Sequence, residues 1–282
     1  MTLCIAWKDE AGVHLASDSR VSFGSAGKAD VATKISDATV RIFAPAAPGG
    51  GGSQLIFELV IGIALVGNVT STFSVKDAVR ILLSGLQAAP GYTDVSLQGI
   101  CVLIGKLFEV VSRDVCSALQ KDGVGQLIVV GRDPLDKSVE ALTISLDLSD
   151  YPIKSTVTKL FSTGSVECFG SGTDAARKLL SSAASSPLHV LKAVVLDVNV
   201  PTVGGPIQYG FVGEEDFRVY GVRDYFPKHE TKEIHIGFYA AGIELYTEHL
   251  SGDFHAFHIQ RTMKLPFEAD IDALLQQGYS IA

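Results

Sequence analysis

The sequence predicts a globular α+β protein in which strands and helices come in blocks. Short apolar stretches separated by turn residues open the chain, two helical patterns of apolar residues follow, and strand-like segments return in the second half. The resulting order is strands, helices, strands, helices, strands. This order favours α+β layering over a repeated βαβ unit.

Composition narrows the class of protein. The chain of 282 residues is long enough for one large domain or two small ones. Its 47% hydrophobic and 19% charged residues exclude global disorder. The formal net charge of -8 argues against a nucleic-acid partner, because proteins that bind phosphate backbones concentrate positive charge.

Neither a membrane span nor a signal peptide is predicted. The first residues reach Lys8 and Asp9 after a few apolar positions and carry no basic region before them, unlike a signal peptide. The most apolar run, 55–66, contains Glu58 and falls short of the roughly 20 apolar residues of a membrane helix. We therefore expect a cytoplasmic protein with no membrane partner.

The cysteines predict buried, reduced thiols. None of them has C-x-x-C spacing, so neither a zinc knuckle nor a redox pair is indicated. The four residues are Cys4, Cys101, Cys116 and Cys168.

The first block is a predicted hairpin followed by two further strands. Residues 2–8 and 13–17 are mostly apolar and are separated by a turn sequence. Further strands are predicted at 40–43 and 61–66. Between them, residues 44–53 are rich in proline and glycine and predict a flexible loop or an insertion, natural or engineered, which we extend over 44–60.

Two amphipathic helices are predicted next. Ser74 and Asp77 resemble a helix-capping pattern, and apolar residues follow at helical spacing up to Leu86. A second helix begins near Asp94 and ends near Lys121 to Gly123 by the same criterion.

In the second half of the chain, predicted strands and helices again come in blocks. Strands are predicted at 126–130, 141–146, 207–212 and 217–222, with helices at 174–184 and 189–195. From Arg223 the sequence is mainly β, with strands at 233–245 and 255–259 and a short terminal helix at 270–277. We expect residues 1–222 to form the main domain and 223–282 to form an extension packed on it.

Thr2 is a candidate nucleophile. If Met1 is removed, the free α-amine of Thr2 can take the proton from its own hydroxyl, directly or through water. An unperturbed α-amine has a pKa of about 7.7 to 8.0, so a small downward shift makes it a free base near neutral pH. A second-position threonine is ordinary by itself, and its partners decide the interpretation.

Those partners are Asp18, Arg20, Ser22 and Lys34. Counted from Thr2, they fall without a gap in register with the acid, arginine, backbone-binding hydroxyl residue and lysine of a known family. The sequence thus resembles the proteasome-type N-terminal-nucleophile hydrolases: proteasome β-subunits, the bacterial heat-shock protease and the Anbu proteins. The resemblance covers residues 2–222 and is strongest in the first 35.

This resemblance implies a four-layer αββα sandwich, the N-terminal-nucleophile hydrolase fold, with a C-terminal extension. It also implies that a protonated Lys34 lowers the pKa of the Thr2 amine while Asp18 holds the lysine. Arg20 and Ser22 would contact the substrate. The alternative for Asp18 and Lys34 is a solvent-exposed ion pair beside the hairpin.

Three further site residues come from the same resemblance. Gly67 would donate its backbone N–H to the oxyanion, and Leu65 would line the pocket for the residue before the cut bond. Ser171, in Gly-Ser-Gly, would bond the terminal amine. As alternatives, Gly67 and Ser171 are plain turn residues.

One part of the family pattern is missing. Where proteasome subunits carry an aspartate and a serine before a Gly-Gly pair, this chain has Val200 and Val203. The nearest polar residues, Asn199 and Thr202, are one position off and lie closer to the pattern of the simpler bacterial members.

No cofactor or metal is expected. His249, His255 and His258 are close in sequence and could bind a metal, but a strand or loop surface is the favoured interpretation. The chain has no P-loop, no G-x-G-x-x-G and no G-x-S-x-G motif.

The predicted function is a threonine-type endopeptidase acting through an acyl-enzyme on peptides or unfolded proteins. The resemblance implies a homo-oligomeric ring that encloses the site and that an ATP-dependent unfoldase can serve. Two alternatives stay open: a catalytically silent structural ring subunit that retains Met1, and an N-terminal-nucleophile amidohydrolase of small amides.

Overall fold

The computed structural model describes residues 2–23, 27–45, 54–67, 69–89, 95–119, 125–147, 153–162, 164–182, 186–245 and 262–282. Its helices are α1 (Val69–Leu83), α2 (Leu97–Leu119), α3 (Thr173–Ser182), α4 (Pro187–Leu196) and α5 (Glu268–Gln276). Its strands are β1 (Leu3–Lys8), β2 (Val13–Ser17), β3 (Val21–Ser22), β4 (Lys28–Ala29), β5 (Ile35–Phe43), β6 (Leu55–Gly67), β7 (Leu86–Gln87), β8 (Gly125–Arg132), β9 (Val139–Asp147), β10 (Lys154–Lys159), β11 (Val166–Gly170), β12 (Gln208–Val212), β13 (Arg218–Lys228), β14 (Glu233–Ala240), β15 (Ile243–Glu244), β16 (Met263–Lys264) and β17 (Ser280–Ile281).

The strands form two large sheets and one small hairpin. A nine-stranded sheet has the order β11-β1-β2-β12-β13-β14-β15, with β16 on β13 and β17 on β14. A six-stranded sheet has the order β10-β9-β8-β6-β5-β7, and β3 pairs with β4 alone. The structure is therefore a mixed α and β fold, as the sequence predicts.

The core lies in three clusters that follow the two-residue period of the strands. In β1, Leu3 and Ile5 pack in a cluster with α3, α4 and α5, whereas Cys4 and Ala6 pack in a cluster with residues of the six-stranded sheet. The other face of the six-stranded sheet packs against α1 and α2. Because residues 61–66 of β6 are buried on both faces, this part of the strand is a continuous apolar run.

The predicted insertion over 44–60 needs correction. Strand β6 begins at Leu55, opposite Phe43 at the end of β5, and pairs antiparallel with β5 back to Ile35, so residues 55–60 are strand and not loop. Glu58 does not break this strand, because it lies at an exposed position and pairs with Arg41 across the ladder. Residues 46–53 lie outside the described part of the chain.

Several boundaries also differ from the prediction. Helix α1 begins at Val69, before the predicted start at Ser74. Strands β10 and β11 were not predicted, because β10 alternates between half-buried and exposed polar residues and gives little apolar signal. Strand β13 runs across the predicted boundary at 222, so the C-terminal extension continues the nine-stranded sheet.

Among the described residues, no helix is long and apolar enough to cross a membrane. Cys4, Cys101 and Cys168 are free thiols in the interior. The side chain of Cys116, the three histidines at 249, 255 and 258, and the predicted strand at 255–259 fall outside what the structure describes.

Candidate active site

The predicted site residues meet at one end of the two sheets. Thr2 precedes β1, Asp18 follows β2 and Lys34 precedes β5. Antiparallel pairing of Cys4 with Ser17 continues to the next pair, where the Asp18 N–H donates to the Leu3 carbonyl at 3.2 Å. The opening hairpin therefore fixes Asp18 one residue from Thr2.

Asp18 and Lys34 form a buried ion pair. The Lys34 Nζ donates to the Asp18 Oδ1 at 2.7 Å, and the two side chains are 4% and 0% exposed. The same carboxylate accepts backbone N–H groups from Leu3 at 3.0 Å, Arg20 at 3.2 Å and Gly204 at 3.1 Å. The alternative of a solvent-exposed pair is therefore wrong.

Burial controls the protonation of this pair. Loss of water around Lys34 lowers the pKa of its ammonium below the ordinary value, although Asp18 opposes the shift. Burial likewise raises the pKa of the Asp18 carboxyl, against the effects of Lys34 and the backbone donors. Each charge therefore depends on the other, and removing one partner leaves a buried charge uncompensated.

Thr2 is held by the strand on the other side of β1. Leu3 pairs with Gly170 of β11, and the Thr2 N–H donates to the Ser171 Oγ at 3.3 Å. The Gly172 N–H donates to the Thr2 carbonyl at 3.3 Å. Gly170 has φ +95°, and a Cβ built on it would lie 2.2 Å from that carbonyl oxygen, so a side chain has no room here.

The end of β6 lies beside the same point. The Cβ position of Gly170 is 3.4 Å from a methyl group of Val66, the residue before Gly67. Gly67 has φ +100°, a left-handed conformation that favours glycine where β6 ends. The turn requirement and the predicted oxyanion role therefore apply to the same residue.

A second hydroxyl extends the contact to Thr2. The Ser171 Oγ lies 3.0 Å from the Thr202 Oγ1, which comes from the loop before β12. Asn199, the other candidate for this position, instead donates its side-chain amide to Asp197 at 2.9 Å. Of the two polar residues that lie one position off the family pattern, Thr202 is therefore the one that contacts Ser171.

Arg20 is engaged by the protein itself. Its guanidinium makes a bidentate contact with Asp30, both distances being 2.7 Å, and donates to the Val203 carbonyl at 3.1 Å. A Cβ on Gly204 would lie 2.2 Å from the guanidinium carbon, so the group packs directly on that glycine. These contacts order the loop that carries Thr202 and the Gly204 donor.

The two remaining predicted residues have different surroundings. Among the described residues, the buried Ser22 Oγ has no hydrogen-bond partner. Leu65 is 3% exposed and belongs to the core beneath α1 and α2, while its N–H donates to the Lys34 carbonyl at 2.9 Å. In this structure Leu65 is a core residue, and its role in a substrate pocket stays a prediction.

Sequence reasoning missed Gln208. This residue is 1% exposed, and its side-chain oxygen accepts the Lys34 N–H at 2.9 Å. The available signal was a single amide at the start of an otherwise apolar strand, which does not by itself indicate a site.

No protein-family model matches the chain, and no curated protein matches it by sequence. Solved structures do match. A mutant Anbu protein from Hyphomicrobium sp. strain MC1 aligns with 78% of this chain and 84% of its own, with a TM-score of 0.55 and 15% identity. The Anbu complex from Pseudomonas aeruginosa, described as a helical assembly, covers 98% of this chain and 96% of its own, with a TM-score of 0.53 and 14% identity.

The chain has the Anbu fold. The Anbu protein from Yersinia bercovieri, described as an ancestral beta-subunit, gives the same result with a TM-score of 0.50, 16% identity and coverage of 77% and 86%. Identities this low establish the shared Anbu fold alone.

Proposed function

We propose that this chain is a threonine-type endopeptidase of the proteasome-like N-terminal-nucleophile hydrolase family. One observation carries the proposal: Asp18 bonds both the Leu3 N–H beside Thr2 and the Lys34 ammonium, within a closed site. Through Asp18 the buried Lys34 is tied to the residue that follows Thr2, and a nearby cation lowers the pKa of a terminal amine so that it becomes a base near neutral pH.

The reaction proceeds with Thr2 freed from the residue before it. The amine takes the hydroxyl proton as Oγ1 attacks the substrate carbonyl carbon. When the C–N bond breaks, that proton passes to the leaving nitrogen, and an ester with Thr2 remains. Water then gives a proton to the same amine and attacks the ester, and Thr2 regains its hydroxyl proton as the acid product leaves.

The other site residues have supporting roles in this proposal. The Gly67 N–H is the oxyanion donor, and Ser171, in contact with Thr202, orients the amine. Ser22 is proposed to bind the substrate, because its hydroxyl has no hydrogen-bond partner in the described part of the chain. Arg20 acts through the loop that it orders, and Leu65 supports the Lys34 backbone from beneath.

The layer order of the family is part of the proposal. The three hydrophobic clusters support this order. In one cluster α1 and α2 pack on the six-stranded sheet, in the next the two sheets pack on each other, and in the third α3 to α5 pack on the nine-stranded sheet. This is the order expected of an αββα sandwich, with residues 223–282 extending the second sheet.

Assembly into a cytoplasmic homo-oligomer is also proposed. The outer helices expose apolar side chains that a neighbouring subunit could cover: Ile81 on α1, and Val102 and Val110 on α2. The Pseudomonas Anbu complex, which shares the fold, is described as a helical assembly. Light scattering on the purified protein should give a mass of several chains.

Peptides or unfolded proteins are the proposed substrates, and an ATP-dependent unfoldase is the proposed partner that delivers unfolded proteins to the site.

The test compares wild-type protein with Thr2→Ala and Thr2→Ser. Cleavage of fluorogenic peptides and of an unfolded protein should be lost in Thr2→Ala and partly kept in Thr2→Ser, since serine retains the hydroxyl. Turnover of small amides without peptide cleavage would favour the amidohydrolase. Cleavage that persists in Thr2→Ala would overturn the assignment, and quantitative retention of Met1 in the native protein would favour a silent structural subunit.

A further inference from the structure

Gln208 clamps the chain that leads to Lys34. Its Oε1 accepts the N–H groups of Lys34 at 2.9 Å and Ile35 at 3.2 Å. Its Nε2 donates to the Ala32 carbonyl at 2.6 Å and lies 3.5 Å from the Asp18 carbonyl. Because one end meets only donors and the other only acceptors, the orientation of the amide is fixed.

Gln208 binds a segment of backbone that lies outside the hydrogen-bonded strand ladder. Lys34 precedes β5, so its backbone N–H depends on a side chain for its partner. Its carbonyl accepts from the Leu65 N–H at 2.9 Å. With the backbone held on both sides, the Lys34 side chain has a fixed origin from which its ammonium reaches Asp18.

A turn of the C-terminal extension closes over this clamp. The carbonyl of Ala241, between β14 and β15, accepts the Thr33 hydroxyl at 3.1 Å. A Cβ built on the next residue, Gly242, would lie 3.0 Å from the Ser19 Cβ and 3.5 Å from the Gln208 Nε2. The extension therefore packs its backbone against the residues around Lys34, and a Cβ at Gly242 would fit there only tightly.

The clamp is anchored by a second buried ion pair. Lys192 of α4 donates to the Asp224 Oδ1 at 2.6 Å, and the other Asp224 oxygen accepts the Ile207 N–H at 3.0 Å. Ile207 directly precedes Gln208. The position of Gln208 is thus set from outside the site, by β13 and α4.

We propose that Gln208 is a positioning residue for Lys34, and that the Ala241–Gly242 turn holds it in place. The extension is then required for the reactivity of the site and not only for the stability of the sheet. This inference rests on the proposed function, because it assigns a catalytic consequence to the clamp.

The first test uses Gln208→Met, which is of similar length but makes none of the four contacts. The side-chain amine of Lys34 is followed by NMR across pH, with lysine labelled at Cε and the signal assigned by loss in Lys34→Arg. A loosened Lys34 gains water, so its pKa should rise toward the ordinary lysine value. In peptide cleavage, kcat should fall by about tenfold or more with KM nearly unchanged.

A matched pair of glycines separates the turn from general strain. Gly242 and Gly278 have φ +82° and +87°, and among the described residues a Cβ on Gly278 would meet nothing within 4 Å. Gly242→Ala and Gly278→Ala should therefore lose similar stability from backbone strain. Only Gly242→Ala should shift the Lys34 titration and lower kcat.

The results separate the role of Gln208 from the proposed peptidase activity. An unchanged Lys34 titration in folded Gln208→Met overturns the clamp, whatever the activity. A shifted titration in a protein whose wild type cleaves no substrate keeps the clamp and overturns the proposed function. If Gln208→Met does not fold, Gly242→Ala gives the same readout, and an effect equal to that of Gly278→Ala overturns the role of the turn.

Discussion

The ammonium of Lys34 lies 2.7 Å from the carboxylate of Asp18, and both side chains are closed off from solvent. The carboxylate also accepts the Leu3 N–H, which belongs to the residue that follows Thr2. The position of the charge pair and the position of Thr2 are therefore fixed by the same hydrogen-bonded ladder.

Breaking this pair should destabilise the protein strongly. Asp18→Asn leaves a buried ammonium without its counter-charge, which costs about 3 to 5 kcal/mol of unfolding free energy. The double variant Asp18→Asn with Lys34→Met should recover part of that loss. Urea unfolding measures both. The exposed pair Arg41–Glu58 provides the control, since Glu58→Gln should cost less than about 1 kcal/mol. Equal losses at the two pairs would contradict the burial argument.

Removing the hydroxyl at Ser171 should slow the reaction without weakening substrate binding. The hydroxyl bonds the Thr2 nitrogen, so Ser171→Ala should lower kcat by about tenfold and leave KM nearly unchanged. Thr202→Val should have a smaller effect, because it acts through Ser171. Ser181→Ala is the control, since its hydroxyl bonds the Lys178 carbonyl on exposed α3. A KM effect alone would indicate a binding role instead.

Activity should fall at alkaline pH before an ordinary lysine deprotonates. The proposed mechanism needs Lys34 charged, and burial lowers the pKa of Lys34 from its ordinary 10.5. The proton is therefore lost below pH 10.5, and the alkaline limb of kcat lies there. Lys34→Arg should move that limb upward in whatever activity it retains, because arginine stays charged. A limb that does not move would assign it to another group.

The free energy of unfolding should decrease as the pH falls below the pKa of a free histidine. Burial lowers the pKa of His14 below its ordinary 6.5, against the hydrogen bond to Asp9. Between the two values the unfolded chain binds the extra proton, so acid favours unfolding. Thermal melts across pH 5 to 8 should show this slope, and His14→Phe, which keeps a ring beside Trp7, should flatten it. An equal slope in both proteins would contradict the assignment.

The strand pattern indicates only the local part of the site, and the distant residues Gly67 and Ser171 come from the family resemblance alone. Asp18 follows from the hairpin, because a short turn determines which residue lies opposite Leu3. Lys34 followed from its spacing in the resemblance. The contact between Thr2 and Ser171 depends on β11 pairing with β1 across most of the chain, which strand patterns do not specify.

The same limit applies to the residues that support Lys34. Gln208 comes from a strand that pairs with β2 only in the assembled sheet, and Gly242 from a turn beyond the predicted domain boundary. An amide in an apolar strand and a glycine in a turn are both common, so neither stood out. Sequence patterns predicted strands where apolar and polar residues alternate clearly. They missed β10, an edge strand of the six-stranded sheet that is made mostly of polar residues.

The most direct test of the central claim is the reaction of the native protein with a threonine-directed peptide epoxyketone. Intact mass and peptide mapping follow, with Thr2→Ala as the control. The account predicts a chain whose mass lacks Met1 and that carries one adduct on Thr2, because the reagent needs both the hydroxyl and the free amine. A folded protein that begins at Thr2 and forms no adduct would contradict the account.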